Sequence, residues 1–274
     1  MKMYKISLHS HTSDFSHFLF WTVNKKDYFL KLLEILKKKK GNLVLGITNF
    51  NNDKRYENLL TIARGFKGKF YLDDKYSNFY FILKIKGKEI IFVKTDEIET
   101  SEGHTLIVGF KGDINQREFH GVLKEAHKQN CLIFANHPLH IFGISYILVK
   151  KLLGGAKEIS LSKKELIHDK KNIDALELNS YFPEDWKKIK EFAKKNKLPV
   201  VSDDDAHFID EIFTSWYEVD NLDFSNPKNF KISLKKELKN GIKLHAHKFG
   251  HLALYKHAFQ VVFESLGKKL GIIK

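Results

Sequence analysis

The sequence predicts an α/β fold in which helices alternate with the strands of a parallel sheet. Short apolar segments typical of strands recur along the chain, and amphipathic segments typical of helices separate most of them. The number of these units favours a barrel or another closed sheet. The 274 residues suit one large domain or two small ones, and a hydrophobic fraction of 43% is enough for a sizeable core.

The first half of the chain begins with a strand and ends with a hairpin. Residues 4–8 form a short strand, whereas 43–47 are a continuous apolar run typical of a buried parallel strand. The helix between them, at 25–39, has Asn24 as its predicted N-cap and Gly41 just past its end. A second helix is predicted near 54–64, and strands at 79–85 and 89–94 flank a predicted turn at 86–88.

The second half continues the alternation and then becomes mainly helical. Its predicted strands lie at 104–110, 131–135, 173–178, 198–202 and 215–219, and its predicted helices at 115–130 with Asn115 as cap, near 145–153, after Pro183 and near 250–268. The composition changes near 222–230. We therefore predict a barrel domain over 1–221 and a C-terminal helical extension, packed on the barrel, over 222–274.

The chain is strongly basic, with a formal net charge of +14. This charge has two interpretations: attraction for phosphates or nucleic acid, or solvated helix faces rich in lysine. Arginine occurs only at Arg55, Arg64 and Arg117. Because arginine is the usual residue for reading guanine, its scarcity argues against sequence-specific DNA recognition.

Several features predict a cytoplasmic protein without membrane association. No apolar run approaches the roughly 18 residues that a membrane-spanning helix needs, and the N-terminus lacks the pattern of a secretory signal. The single cysteine, Cys131, lies in an apolar stretch and is interpreted as a buried core thiol.

The polar side chains that could bind a metal follow the predicted strands, at the point where each strand ends. His9 and His11 lie two residues apart, so their side chains leave a strand on the same face and can bind one ion. Loops at the carboxyl ends of parallel strands are where barrel enzymes build active sites. His104 is the exception, because it begins its predicted strand. The residues at strand ends are His9, His11, Thr48, Asn49, Glu97, His137, Glu177, Asn179, Asp203, Asp204, Asp205 and His207.

Two other groups of polar residues have alternative interpretations. The carboxylates at 203–205 are either a solvated turn or metal ligands, and Asp205 is favoured because Asp205 and His207 repeat the two-residue spacing of the first histidine pair. His17 is either a loop residue or a ligand. The histidines interpreted as having no role in metal binding are His120, His127, His140 and His168.

Five short motifs, in order over about residues 1–220, resemble those of the PHP (polymerase and histidinol phosphatase) superfamily. They are His9-Ser10-His11 with Thr12, Glu97 with the later Gly103-His104, His137-Pro138, Glu177 at an acidic strand end, and Ser202 with Asp205-Ala206-His207. The resemblance implies a distorted seven-stranded, TIM-like β/α barrel. It also implies two or three metals at the C-terminal face of the barrel and phosphoesterase activity.

The same resemblance implies a set of ligands. One metal would be held by His9, His11, Glu97 and Asp205. Glu97 would bridge to a second metal, held also by His104 and His137. His17 and His207 would approach a third position.

The chain departs from the family pattern after its second strand. The family's Thr-Asp-His is here Thr48-Asn49-Phe50, and a phenylalanine cannot bind metal. His17 and His207 alone make a poor site, since catalytic zinc usually has three protein ligands. We therefore predict two divalent transition metals, Zn, Mn or Fe, rather than three. Loss of catalysis is the alternative that this departure leaves open.

These observations lead to one predicted function and two alternatives. The first is a phosphoesterase that hydrolyses a phosphate mono- or diester of a small molecule or nucleotide, using a metal-activated hydroxide at a two-metal centre. His207 or His17 would protonate the leaving oxygen. The second is a nuclease or nucleic-acid-processing enzyme, favoured by the charge. The third is a non-catalytic module that binds metal or nucleic acid.

Overall fold

The α/β fold predicted from the sequence is confirmed. A computed structural model describes residues 2–11, 25–66, 68–140 and 160–250, and in these residues one curled sheet is packed against helices. The strands are β1 (Met3–Ser7), β2 (Asn42–Phe50), β3 (Tyr71–Asp73), β4 (Tyr80–Ile85), β5 (Lys88–Glu99), β6 (His104–Val108), β7 (Leu132–Ala135), β8 (Ala175–Asn179), β9 (Val200–Asp203), β10 (Trp216–Asp220) and β11 (Lys243–His245). The helices are α1 (Lys25–Lys38), α2 (Arg55–Arg64), α3 (Phe119–Lys128), α4 (Lys163–His168), α5 (Trp186–Asn196), which follows a 3₁₀ turn at Pro183–Asp185, and α6 (Pro227–Asn240).

The sheet is mixed and nearly closed into a barrel. Its order is β11-β10-β1-β2-β5-β6-β7-β8-β9, with β4 paired to β5 and β3 to β4. Ser202 Oγ of β9 donates a hydrogen bond to the Trp216 carbonyl of β10 at 2.6 Å, which links the two sides of the opening. Seven consecutive strands, β1-β2-β5-β6-β7-β8-β9, correspond to the predicted barrel. The sheet has four further strands, so its count of eleven exceeds the predicted seven.

One strand of the seven runs against the others. The pairs β1–β2, β2–β5, β7–β8 and β8–β9 are parallel, but β6 is antiparallel to both of its neighbours. The turn between β5 and β6 is only four residues long, too short for the crossover that a parallel connection requires. The first residue of β6 therefore lies at the same end of the sheet as the last residues of its neighbours.

Helix α6 packs on the buried core. Phe230, Leu234 and Leu238 join a cluster with strand residues that include Ile6 and Phe134. Because an apolar stripe at this spacing is buried as one helix face, α6 is part of the barrel's core. The division at residue 221 remains a prediction.

Polar contacts place α6 at the end of the sheet where β7 and β8 begin. Lys231 Nζ donates to the Gln129 carbonyl at 3.0 Å, and Lys235 Nζ lies 2.7 Å from Asp174 Oδ1. Both partners precede strands, so α6 covers the N-terminal ends of the parallel strands.

Most predicted elements lie within a few residues of their observed bounds. Lys86 and Gly87 both have positive φ, as a two-residue hairpin turn requires, and Asn226 caps α6 through the Asn229 amide.

The Asn115 cap is wrong: α3 begins at Phe119, whose amide is satisfied by the Glu102 carboxylate at 2.9 Å. Strands β3 and β11 were not predicted. The Asn24 cap and the helices near 145–153 and 250–268 lie outside the described residues.

A search of the described helices for a candidate membrane span finds none long and apolar enough.

Gly46 allows β2 to pass close to Leu8, which precedes the first histidine pair. A Cβ on Gly46 would lie 2.0 Å from the Leu8 carbonyl oxygen, which belongs to the backbone and cannot move independently. We predict that Gly46→Ala lowers the free energy of unfolding by about 3 kcal/mol, as overpacking does. Urea denaturation measures this change.

The matched control is Gly121→Ala on α3, where the new methyl group meets only the flexible Gln116 side chain. Alanine is the better helix former, so the control keeps or gains stability. Equal stability of the two variants would contradict the close approach.

Candidate metal centre

The predicted ligands converge at one end of the barrel. His9 and His11 follow β1, Glu97 lies near the end of β5, His137 follows β7 and Asp205 follows β9. The reversal of β6 explains the exception noted in the sequence: His104 begins its strand, yet this start lies at the end of the sheet where its neighbours finish. Its register partner is Glu99 at the end of β5.

Three buried side chains form the first possible metal-binding group: His9, His11 and Asp205. The Nε2 atoms of His9 and His11 are 3.2 Å apart. Asp205 Oδ1 lies 3.2 Å from His9 Nε2 and 3.5 Å from His11 Nε2. This set of two imidazoles and one carboxylate matches the chemistry of a catalytic zinc or manganese site.

Glu97, His104 and His137 form the second group. Glu97 Oε1 lies 3.0 Å from His104 Nδ1 and 3.6 Å from His137 Nε2. Glu97 also reaches the first group, because its Oε2 is 3.0 Å from His11 Nε2. One carboxylate therefore contacts both groups, which is the arrangement expected of a bridging ligand.

Asp205 Oδ1 has the surroundings of a metal ligand. Among the described residues, it is a buried carboxylate oxygen without a hydrogen bond of ordinary geometry, and imidazole nitrogens of His9 and His207 lie 3.2 Å and 3.4 Å away. A buried acceptor or donor without a partner is costly, and a metal ion is one way to satisfy it. The donor set of the two groups therefore fits divalent metal ions.

Further side chains hold the ligands in place. Glu177 Oε1 lies 2.7 Å from His9 Nδ1, and its Oε2 accepts the His137 amide at 2.7 Å. Asn179 donates to Asp205 Oδ2 at 2.8 Å. A carboxylate on the outer nitrogen of a histidine is the usual arrangement behind a metal ligand. The sequence placed Glu177 at a strand end but did not predict this supporting role.

The three consecutive aspartates have separate partners. Asp203 Oδ1 accepts the Leu8 amide at 2.5 Å, and Asp204 Oδ2 accepts the Phe213 amide at 2.5 Å. Burial raises the pKa of Asp203 to about 8. Asp205 alone of the three lies against the histidines, and it does so with a φ of 50°, a backbone conformation rare for residues other than glycine. These contacts exclude a solvated turn.

Burial and neighbouring charges shift the pKa values of His9 and His11 in opposite directions. Burial disfavours the charged imidazole of His9, but the carboxylates of Asp205, Glu177 and Glu97 outweigh burial and hold the pKa of His9 well above its ordinary value. Burial lowers the pKa of His11 to about 4, against the opposing effect of Glu97. These carboxylates favour the protonated imidazole of His9, whose charge offsets theirs. A divalent cation can take over this role.

Phe50 and Asn49 differ in what they contact. Phe50 is the register partner of Glu97, and its ring centroid lies 6.3 Å from that of His11 and 5.9 Å from that of His104. Asn49 instead accepts the Tyr56 amide at 3.0 Å. The departure at Phe50 thus puts an apolar ring beside the predicted ligands, whereas Asn49 caps the start of α2.

Two histidines, His207 and His17, were predicted to protonate the leaving oxygen, and the structure describes the first of them. His207 Nε2 lies 3.4 Å from Asp205 Oδ1, and its ring stacks on His11 with centroids 4.6 Å apart. His17 lies outside the described residues. Glu211 fixes the loop that carries His207, because its Oε2 accepts the His207 amide at 3.0 Å.

Of the four histidines interpreted as having no role in metal binding, three lie in further groups of possible ligands. These groups are His120 with His168 and Asp169, and His140 with Glu184 and Asp185. Each group includes exposed members, unlike the buried centre. His127 is exposed on α3.

The comparison with known proteins identifies the fold. No protein-family model and no curated protein matches the sequence. PsfC from Pseudomonas syringae PB-5123 is similar in structure, with a TM-score of 0.59 and 11% identity over 100% of both chains.

A second solved structure, from Bacteroides vulgatus ATCC 8482, is a two-domain protein containing a predicted PHP-like metal-dependent phosphoesterase. It has a TM-score of 0.53 and 14% identity, and the match covers 90% of this chain and 65% of that one. At such identities the likeness shows the fold alone, which is PHP-like.

Glu177 provides a test of the supporting contacts. We predict that Glu177→Gln weakens metal binding by about 10- to 100-fold, because His9 loses the carboxylate that orients its ring. Titration against a chromophoric chelator measures the affinity. The control is Glu191→Gln on the exposed face of α5, which removes the same charge far from any predicted ligand. An unchanged affinity in Glu177→Gln would contradict the role of Glu177.

Proposed function

We propose that this protein is a metal-dependent phosphoesterase with a two-metal centre. The observation that carries the proposal is the buried cage in which Glu97 contacts both groups of ligands. His9, His11 and Asp205 would hold one metal, and His104 and His137 the other. A metal pair supplies Lewis acidity, which lowers the pKa of water and offsets charge on a phosphate ester.

The protein's own residues have three tasks in this reaction. Glu177 and Asn179 keep the imidazole and carboxylate ligands in fixed orientations, so little reorganisation is needed when substrate binds. Phe50 lines one side of the cage with an apolar ring beside His11 and His104. His207, stacked on His11, is the proposed general acid for the leaving oxygen, and His17 is the second candidate for that role.

The proposed substrate is a phosphorylated small molecule or nucleotide, and the proposed metals are Zn, Mn or Fe. Mixed imidazole and carboxylate ligands suit all three, and affinity order alone does not select among them. The structural similarity to the Bacteroides protein, which contains a predicted PHP-like metal-dependent phosphoesterase, supports the same reaction class.

Ligand variants test the proposal. We predict that His9→Ala and Asp205→Ala each lower phosphate release from an aryl phosphate ester by about 10³-fold or more in Mn- or Zn-loaded protein, because activation of water is lost. His127→Ala, at an exposed position of α3, is the control and keeps wild-type activity. If the loaded wild type releases no phosphate from mono- or diesters, the non-catalytic alternative replaces this proposal.

The net charge of +14 favours a second candidate, a nuclease on the same metal centre. Binding of single-stranded DNA that weakens steeply as salt rises would support it, since neutralised phosphates release counterions. A flat salt response would exclude it.

A further inference from the structure

We propose that a cavity beside helix α6 is a separate binding site, which takes an organic phosphate of about the size of a nucleotide. The cavity lies outside the metal centre, so the inference does not depend on the proposed phosphoesterase reaction. Three observations carry it: the place of the cavity in the barrel, the excess of lysine around it, and the apolar side chains at its base.

The cavity lies at the end of the barrel opposite to the metal centre. Asp174 lines it just before β8 begins, and Pro199 lines it just before β9 begins. The metal centre is at the other ends of these strands, where Asp205 follows β9. Ala175 and Val201 of the two strands are buried in the core that separates the two ends. A molecule bound in the cavity is therefore distinct from a substrate bound at the metals.

Lysines outnumber carboxylates around the cavity. Among the described residues that line it, Asp174 is the one acidic side chain, and both of its oxygens are engaged: Oδ1 lies 2.7 Å from Lys235 Nζ, and Oδ2 accepts the Ile133 amide at 3.0 Å. The other lysines of the lining therefore have no carboxylate there to balance them. A concave site with one sign of charge concentrates ligands of the opposite sign. The lysines of the lining are Lys170, Lys171, Lys197, Lys235 and Lys239.

These lysines come from three separate segments of the chain. Lys170 and Lys171 follow α4, Lys197 is the C-cap of α5, and Lys235 and Lys239 belong to α6. The helix dipole favours a cation at the C-terminal end of any helix, and this explains a single lysine at each end. It does not explain why the three segments meet around one cavity, where like charges repel each other. A bound polyanion would offset this repulsion.

The base of the cavity is apolar, which favours an organic phosphate over free phosphate. Ile173 and Leu238 are buried and Leu198 is half-buried, whereas the lysines of the lining are exposed. The apolar part of a ligand can pack on this base while the lysines bind its phosphates as point charges. The volume of about 450 Å³ lies within the range of roughly 300–1,000 Å³ for small-molecule pockets. We therefore infer a single small molecule rather than a nucleic-acid chain.

Isothermal titration calorimetry with a non-hydrolysable nucleoside triphosphate tests the proposal. The titration would be made on metal-loaded protein and again after a chelator has removed the metal, and a ligand in the cavity binds with the same dissociation constant in both. We expect the double variant Lys171→Gln/Lys197→Gln to weaken this binding by about 10-fold or more, because two contacts with phosphate are lost. The matched control, Lys37→Gln/Lys38→Gln, removes two exposed lysines from the last turn of α1 and binds like wild type.

Four results would overturn the proposal. The first is a wild type that does not bind the nucleotide, or a cavity variant that binds it as tightly as wild type. Equal weakening in the two double variants shows attraction by net charge rather than by the cavity. Binding that disappears with the metal shows that the nucleotide occupies the metal centre. Tighter binding of single-stranded DNA than of the nucleotide, weakened by the same two substitutions, shows that the lysines hold a nucleic-acid chain instead.

Discussion

The rest of the site depends on the contacts between the Glu97 carboxylate and four histidines. Its side chain is buried, and its oxygens lie within about 3.6 Å of ring nitrogens from His9, His11, His104 and His137. A buried carboxylate is stable only when it is paired and hydrogen-bonded. Burial would raise the pKa of Glu97, but the charges of His9 and His104 hold it well below its ordinary value. This shift favours the ionised carboxylate of Glu97, whose charge is what a divalent cation would balance.

The fold of the barrel brings side chains from several strands into contact with the Glu97 carboxylate. Reversal of β6 brings His104 to the same end as Glu97, and the positive φ angles of His137 and Asp205 turn both side chains inward just after their strands. Strained backbone of this kind persists only where the surroundings fix it. Glu177 provides such fixing, since one carboxylate holds the His9 ring and the His137 backbone together.

The sequence predicted the alternation of strands and helices because apolar residues repeat every two positions in a strand and every 3.6 in a helix. Such repeats depend only on residues that are close together in the chain. It predicted the convergence of the ligands because strand ends meet at one edge of a sheet. It did not predict the reversal of β6, because the strand predicted at 89–94 ends before β5 does at Glu99, which hid the short turn to β6. The spacing to His207 favoured Asp205 over Asp203 and Asp204, but the sequence did not predict that the first two accept the backbone amides of Leu8 and Phe213.

The most direct test of the account is anomalous diffraction from crystals grown with Zn or Mn, recorded above and below the absorption edge of the metal. The account predicts two peaks about 3.5–4 Å apart inside the cage. One would be bordered by His9, His11 and Asp205, the other by His104 and His137, with Glu97 between them. Absence of metal from the cage, with peaks only at the exposed group around His120 and His168, would contradict the central claim.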